Sequence, residues 1–358
     1  MEPMNNYDQT TKIDMLQMLP VPACAATTHS HWARLEPALQ CFKWLVAQAD
    51  KEANTSGEIS AELAEKVCAS FRTLCLLMHQ EIGESASVPQ PIKDACGAQM
   101  QCELLPYLLL THTAERLYSK PRGYAGDFMS IAEIYRNQPA GSGRVGALID
   151  RCFLDAPPAI AVQNRCQLLA DDILRTMSFN SSNGPVYITS LACGPAAEIF
   201  DVFQQLSDPT RLHVSLIDID YQALAYVDAQ VTRHKVRRQI RLHQGHLMHL
   251  ATGQQRLDLP VQDLVYSIGL IDYLSDERAV ALIDWIHTLL RPGGRVILGN
   301  FHPRNSTKAL MDYVLDWKLI HRSEAELDRL YTQSAFQRSC SNIYYEAQGI
   351  NLFAECIK

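Results

Sequence analysis

Leu191-Ala192-Cys193-Gly194-Pro195-Ala196-Ala197-Glu198 is the stretch whose reading decides the fold. The apolar run Val186 to Leu191 ahead of it predicts a short buried strand, and Ala196 to Leu206 predicts a helix. Gly194 lets the backbone turn sharply and come close to a ligand. Pro195 has no N–H to lose and suits a helix start. Ala196 and Ala197 are small enough for helix and sheet to pack closely. The dinucleotide fingerprint needs two further glycines where the backbone approaches a pyrophosphate, and this turn lacks them. A nucleoside cofactor without phosphates has no such need. Alone, the turn is explained equally by plain structure.

The next strand raises the functional reading. Leu212 to Ile217 is apolar and ends in Asp218-Ile219-Asp220. A carboxylate at that strand end can accept two hydrogen bonds from a ribose diol. Asp218 stands directly after the apolar run, while Asp220 suits a helix N-cap. A third strand begins at Ile240 to Leu242 and leads to Gly245-His246-Leu247, a turn expected beside an adenine ring. His243, His246 and His249 have a suggestive spacing, but no carboxylate or cysteine completes a ligand set, and no metal is expected.

The alternation continues. Asp263 to Ser267 is a fourth strand, and Ser267, Ile268, Gly269, Asp272 and Tyr273 follow at its C-terminal end, where a parallel sheet lines its ligand crevice. A helix is expected over Glu277 to Leu290. Pro292-Gly293-Gly294 turns into Arg295 to Gly299, after which His302 sits where a base or donor would stand. Ser306 to Ile320 predicts a helix, and Ser323 to Glu326 a capping box for another. Asn342 to Glu346 and Ile350 to Ile357 read as a closing hairpin. Short apolar strands alternating with helices imply an α/β fold with a mostly parallel sheet covered on both faces.

The first third is helical by periodicity. His31 to Asp50, Glu58 to Ile82 and Ile92 to Leu117 are the expected helices, with Asn54 to Gly57 a turn. Lys120 to Phe128 and Gln138 to Gly146 are turn-forming, and Pro157-Pro158 opens a helix to about Met177. The domain reading is a helical cap over residues 1–120, a connecting segment with a lid motif over 121–180, and the cofactor domain over 181–358.

Composition excludes several classes. The 358 residues are 47% hydrophobic and 20% charged, an ordinary globular balance. The formal charge of −7 disfavours a protein built to grip nucleic-acid phosphates. The basic run Arg233 to Arg241 has no interleaved aromatics and reads as a solvated surface. Eleven cysteines show no Cys-x-x-Cys pair, which points to reduced thiols and a cytoplasmic location. No apolar run reaches the ~18 residues of a membrane helix. Met15 to Ala26 lacks the basic start and unbroken core of a signal peptide and reads as an arm or short helix.

Residues 157–358 resemble class I S-adenosylmethionine (SAM)-dependent methyltransferases. Leu191 to Glu198 looks like their first motif, Asp218 their ribose acid, Gly245-His246 their adenine turn, and Arg291 to Gly294 the turn before strand five. The resemblance implies SAM as cofactor and a Rossmann-like seven-stranded sheet whose last strand is antiparallel. Pro195 and His246 depart from the usual pattern. Lys120 to Phe128, Gly269 to Leu274, Asn300 to Pro303 and Asp316-Trp317 look like a bacterial branch that includes hydroxy-fatty-acid methyl ester synthases. That implies O-methylation of a carboxylate on a small molecule.

Carboxylate methylation needs no strong base. It needs a cation or donors to position the anion. Arg122 is the expected clamp, because a guanidinium grips a carboxylate in a bidentate fork. Tyr124, Asp272 and Trp317 are expected beside the substrate, with Tyr273 and His302 as catalytic donors. For a hydroxyl or amine acceptor, His302 becomes the expected base. Ala192, Cys193, Gly194, Pro195, Glu198, Ile219 and Leu247 are expected at the cofactor, and Arg165 at its methionine carboxylate. A homodimer through the helical region is an expectation. Two other classes stay open: a SAM-binding subunit without catalysis, and a nicotinamide-dependent oxidoreductase, which the missing glycines oppose.

Overall fold

A computed structural model describes residues 25–179 and 184–358. The expected arm at Met15 to Ala26 falls almost wholly outside the described residues, as does most of the loop expected at Asn180 to Pro185. The helices of the first half are α1 (Ala25–Ser56), α2 (Ala61–Ile82), α3 (Gln90–Leu108), α4 (His112–Ser119), α5 (Phe128–Arg136), α6 (Gly143–Leu154) and α7 (Pro157–Phe179). The second half runs β1 (Val186–Leu191), α8 (Ala197–Gln205), β2 (Leu212–Asp218), α9 (Tyr221–His234), β3 (Ile240–Gln244), α10 (Leu247–Ala251), β4 (Gln262–Ile268), α11 (Asp276–Leu289), β5 (Leu290–Phe301), α12 (Glu324–Gln333), β6 (Asn342–Tyr345) and β7 (Asn351–Ile357).

The seven strands form one sheet in the order β3-β2-β1-β4-β5-β7-β6. The first five pair in parallel, and β7 is antiparallel to both β5 and β6. β1 lies between β2 and β4, so the connections leave it in opposite directions. Such a reversal opens a crevice at the carboxyl ends of the strands. The parallel strands are apolar on both faces because helices cover both. On one side α7 and α8 pack against the sheet, and on the other α10, α11 and α12. A separate helical core joins α1 to α7 with Phe301, Leu310, Trp317 and Leu319, so the N-terminal helices sit over the end of β5.

Several local expectations change. The single helix expected over Ile92 to Leu117 is two helices, because Thr111 caps α4 by accepting from the Ala114 N–H. Two helices that were not expected, α5 and α6, follow the turn-forming stretches, and α6 begins inside the second of them at Gly143. Asp127 starts α5 by accepting from the N–H groups of Met129 and Ser130. The helix expected over Ser306 to Ile320 shrinks to a π-helical turn at Leu310–Val314. Asp316 then takes a left-handed conformation, φ 49°, which breaks the helix and leads Trp317 and Leu319 to the crevice. The capping box at Ser323 and Glu326 is present, and the C-terminal hairpin closes the sheet.

The cysteine expectation is corrected in part. Cys68 on α2 and Cys152 on α6 form a disulfide across a separation of 84 residues. The two helices pack side by side and bring the Cα atoms to 4.7 Å. No local spacing announces such a pair. The cysteine pattern therefore gives no argument for a reducing compartment. Among the described residues no helix is long and apolar enough to cross a membrane.

Candidate cofactor and acceptor site

A cavity of about 250 Å³ lies at the carboxyl ends of β1 and β4, where the strand order reverses. Its floor is the loop after β1. Ala192, Gly194 and Ala196 all have left-handed backbones, with φ of 51°, 53° and 49°. Only glycine takes this conformation without steric cost, so the two alanines store strain where the cavity begins. The Ala196 N–H donates to the Cys193 carbonyl at 3.0 Å and closes a tight turn around Gly194-Pro195. Pro195 therefore precedes the helix rather than opening it, because Ala196 occupies the N-cap of α8. Ala192, Cys193, Gly194, Pro195 and Glu198 all line the cavity.

Asp218 ends β2 on the same wall. One carboxylate oxygen accepts from the Gly194 N–H at 2.9 Å and the other from the Asp220 N–H at 2.9 Å. The Ile219 N–H also reaches this carboxylate, which keeps acceptor capacity for a ribose hydroxyl. Burial pushes its carboxyl above the usual aspartate range, against the pull of these N–H donors. Ile219 lines the cavity and is largely exposed. Gly245, His246 and Leu247 stand next to Asp218 but off the cavity wall. The Gly245 N–H donates to the Asp218 carbonyl at 3.0 Å, and the His246 ring caps α10 and stacks on His249. His246 is thus a capping residue here.

From β4, Ile268 and Gly269 reach the cavity, but Ser267 does not. The Ser267 hydroxyl donates to the Leu191 carbonyl and ties β4 to β1. Gly269 has φ 79°, and a Cβ built there would stand 3.3 Å from an Arg165 terminal nitrogen. Arg165, on α7, is 4% exposed and is the lone Lys or Arg among the described residues lining the cavity. Its Nε is buried without a hydrogen-bond partner. Tyr135 of α5 lies beside it, hydrogen-bonded to the guanidinium, and burial pushes that phenol far above its ordinary range. Glu198 accepts from the Tyr266 hydroxyl at 2.7 Å, and burial pushes its carboxyl up.

The opposite wall carries Tyr124, Asp272, Tyr273 and Trp317. The Trp317 indole N–H donates to the Tyr273 hydroxyl at 2.8 Å. Burial pushes the Tyr273 phenol up to about 12, so it stays a donor at neutral pH. Asp272 is anchored by the Phe301 N–H. Arg322, almost fully buried, braces this turn by donating to the carbonyls of Ile271 and Leu274. Sequence reading missed Arg322 and Tyr135. Neither sits in a recognisable motif, and Tyr135 lies on a helix that the turn-rich sequence around it concealed.

Two further expected residues, Arg122 and His302, also lie off the cavity. Arg122 does not line the cavity. Its guanidinium forks onto both carboxylate oxygens of Asp220 at 2.5 Å, bonds Gln222, and lies over the Phe128 ring. Asp127, five residues on, is held by Arg116. His302 also stands off the cavity. Its Nδ1 accepts from the Arg304 N–H at 3.0 Å, and its Nε2 meets Glu324 at 3.2 Å. With both ring nitrogens engaged, it is a brace between β5 and α12. Among the described residues no group of three or more His, Cys, Asp or Glu is placed to share a metal ion.

Residues 123–350 match the model of the family described as "Putative methyltransferase". The chain belongs to that methyltransferase family. The matched span runs from the lid motif to the closing hairpin. The enzyme's methyl donor is SAM. The sequence matches no curated protein. In fold the chain is similar to a possible exported protein from Bordetella parapertussis, with a TM-score of 0.51 and 16% identity over 94% of this chain and 99% of that one. Weaker matches include magnesium protoporphyrin IX methyltransferase from Synechocystis PCC 6803 with bound SAM, at TM-score 0.44, 14% identity, 69% of this chain and 96% of that one. Another is the pyocyanin biosynthetic protein PhzM, at TM-score 0.43, 14% identity, 94% of this chain and 99% of that one.

Proposed function

We propose that the enzyme methylates a small molecule held between the donor's sulfonium and the wall formed by Asp272, Tyr273 and Trp317. Asp218 takes the ribose, Ile219 flanks the adenine, and Arg165 takes the donor's methionine carboxylate. Methyl transfer is an in-line displacement at a carbon already activated by sulfur. The protein has to align the reactants and exclude water.

The nature of the acceptor turns on one observation. Arg165 is the lone cation on the described wall, and it stands against Gly269, on the donor's side. Arg122, the expected carboxylate clamp, is committed to Asp220. The groups on the acceptor wall are thus hydroxyl and carboxyl, and Arg165, whose charge also reaches Asp272, is assigned to the donor, which favours an acceptor that is neutral before reaction. Carboxylate O-methylation, and with it the hydroxy-fatty-acid ester branch, would require Arg165 to serve the acceptor instead of the donor. Arg165→Ala separates the two readings. A raised KM for SAM with an unchanged acceptor KM supports the neutral acceptor. A raised KM for an acid with unchanged SAM affinity supports the carboxylate. Turnover of a panel of acids, phenols and amines identifies the acceptor class directly.

The helical residues before 120 are proposed as the cap over the acceptor side. Trp44 on α1 and Leu76 on α2 are exposed apolar side chains there, and a homodimer through this region is testable by light scattering.

A further inference from the structure

We infer that Asp272 is the proton acceptor in the reaction and that the methyl acceptor is a phenol-type hydroxyl. The inference rests on the proposed donor placement. Asp272 is 1% exposed and lies on the cavity wall. Its Oδ1 accepts from the Phe301 N–H at 2.7 Å, and its backbone carbonyl accepts from the Ile320 N–H at 2.8 Å. These bonds fix the carboxyl group. Its Oδ2 is buried and has no hydrogen-bond partner. A buried carboxylate oxygen without a donor is costly, and a ligand O–H removes that cost.

The neighbouring groups narrow the ligand. The Tyr273 hydroxyl accepts from the Trp317 indole, which leaves its own proton to donate. One hydroxyl of the acceptor can therefore give its proton to Asp272 and receive a hydrogen bond from Tyr273. Tyr124, Phe128, Phe301 and Trp317 supply flat apolar walls suited to an aromatic body. A carboxylate acceptor would bring a second anion beside Asp272, which like-charge repulsion opposes.

Proton matching selects among hydroxyls. Burial pushes the Asp272 carboxyl up to about 6, against the Phe301 N–H and the charges of Arg165 and Arg322. Proton transfer works best when donor and acceptor are not far apart in acidity. A phenol, near ~10, is within reach of such a base, whereas an aliphatic alcohol is not. In the step, the phenolic proton passes to Oδ2. The oxygen's electron pair forms the new O–CH3 bond. The C–S bond breaks, and its pair returns to sulfur. The products are the aryl methyl ether, S-adenosylhomocysteine and a neutral Asp272, which then loses its proton to solvent.

The test compares the full-length wild type with Asp272→Asn, which keeps an oxygen for the Phe301 N–H. Both are assayed at mildly alkaline pH with para-cresol, which is protonated, and para-nitrophenol, which is largely ionised. The expected result is a kcat loss on the order of 100-fold with para-cresol and only a few-fold with para-nitrophenol. SAM affinity by calorimetry should be unchanged. With S-adenosylhomocysteine bound, para-nitrophenol should bind the variant more as the coloured phenolate than it binds the wild type. Equal losses with both phenols, no loss with either, weakened SAM binding as the main effect, or wild-type turnover of carboxylic acids but not phenols would each overturn the assignment. A wild type that binds neither SAM nor its product would instead overturn the donor placement beneath it.

Discussion

Arg122 and Asp220 form a bidentate ion pair that joins the segment before α5 to the end of β2, two residues beyond Asp218. Tyr124 and Phe128 of the same segment line the cavity. Arg116 holds Asp127 at its other end, and Lys120 reaches Asp316. The pair is placed as a latch that keeps this segment over the cavity, where the donor is proposed to bind.

Removing the latch should loosen the donor rather than the acceptor. Arg122→Ala should raise the Kd for S-adenosylhomocysteine roughly fivefold, equivalent to about 1 kcal/mol for a well-formed but partly exposed pair. Faster release in stopped-flow displacement should account for most of it, because interface losses fall mainly on dissociation. A rise confined to the acceptor KM would return Arg122 to the acceptor side.

Gly269→Ala should damage donor binding through Arg165. The position has φ 79°, which an alanine adopts only with strain, and the new methyl would press on the guanidinium. The backbone cost is on the order of 1 kcal/mol. SAM affinity should drop at least tenfold while the melting temperature shifts by only a few degrees. An alanine enzyme with wild-type SAM affinity would remove Arg165 from the donor site.

The pH dependence follows from Asp272. Its carboxyl is raised to about 6, so it is ionised above that value and protonated below it. The charged groups facing it are Arg165 from α7 and Arg322 from the segment before α12, with Tyr273 beside it. Turnover of a neutral hydroxyl should therefore fall as the pH drops through about 6, at saturating SAM. Asp272→Asn should lack this limb. A flat profile in the wild type would contradict the assignment.

The disulfide should carry measurable stability. Cys68 and Cys152 close a loop spanning a separation of 84 residues. Chain-entropy arguments give roughly 4–5 kcal/mol for a loop of that size. Denaturant unfolding of Cys68→Ser, or of reduced wild type, should show a loss of that order. A reduced enzyme of unchanged midpoint would mean that the unfolded chain gains little freedom.

The cofactor half of the fold was legible because its signals are local. Val186 to Leu191 carries its strand in a short, largely apolar, β-branched and aromatic run, and Ser323 to Glu326 carries its cap in four adjacent residues. The place of Asp218 at the cavity was legible because it directly follows the β2 run. The rest depended on contacts distant in sequence. The Asp220 that engages Arg122 lies far along the chain, and so do the N–H groups that anchor Asp272. α5 and α6 were hidden because Gly, Pro and Ser flank them, while their apolar faces need the helical core to give them meaning. His302 looked catalytic from its place after a strand, yet Glu324, on the next helix, claims it.

The central claim is that SAM binds at the crevice between β1 and β4, with Asp218 on its ribose. Titration calorimetry of the wild type and Asp218→Ala with S-adenosylhomocysteine tests it most directly. The account predicts one site per chain in the wild type and an affinity weaker by about 1–3 kcal/mol in the variant, the range for a hydrogen bond to a charged group. No heat of binding in the wild type, or equal affinity in the two proteins, would contradict it.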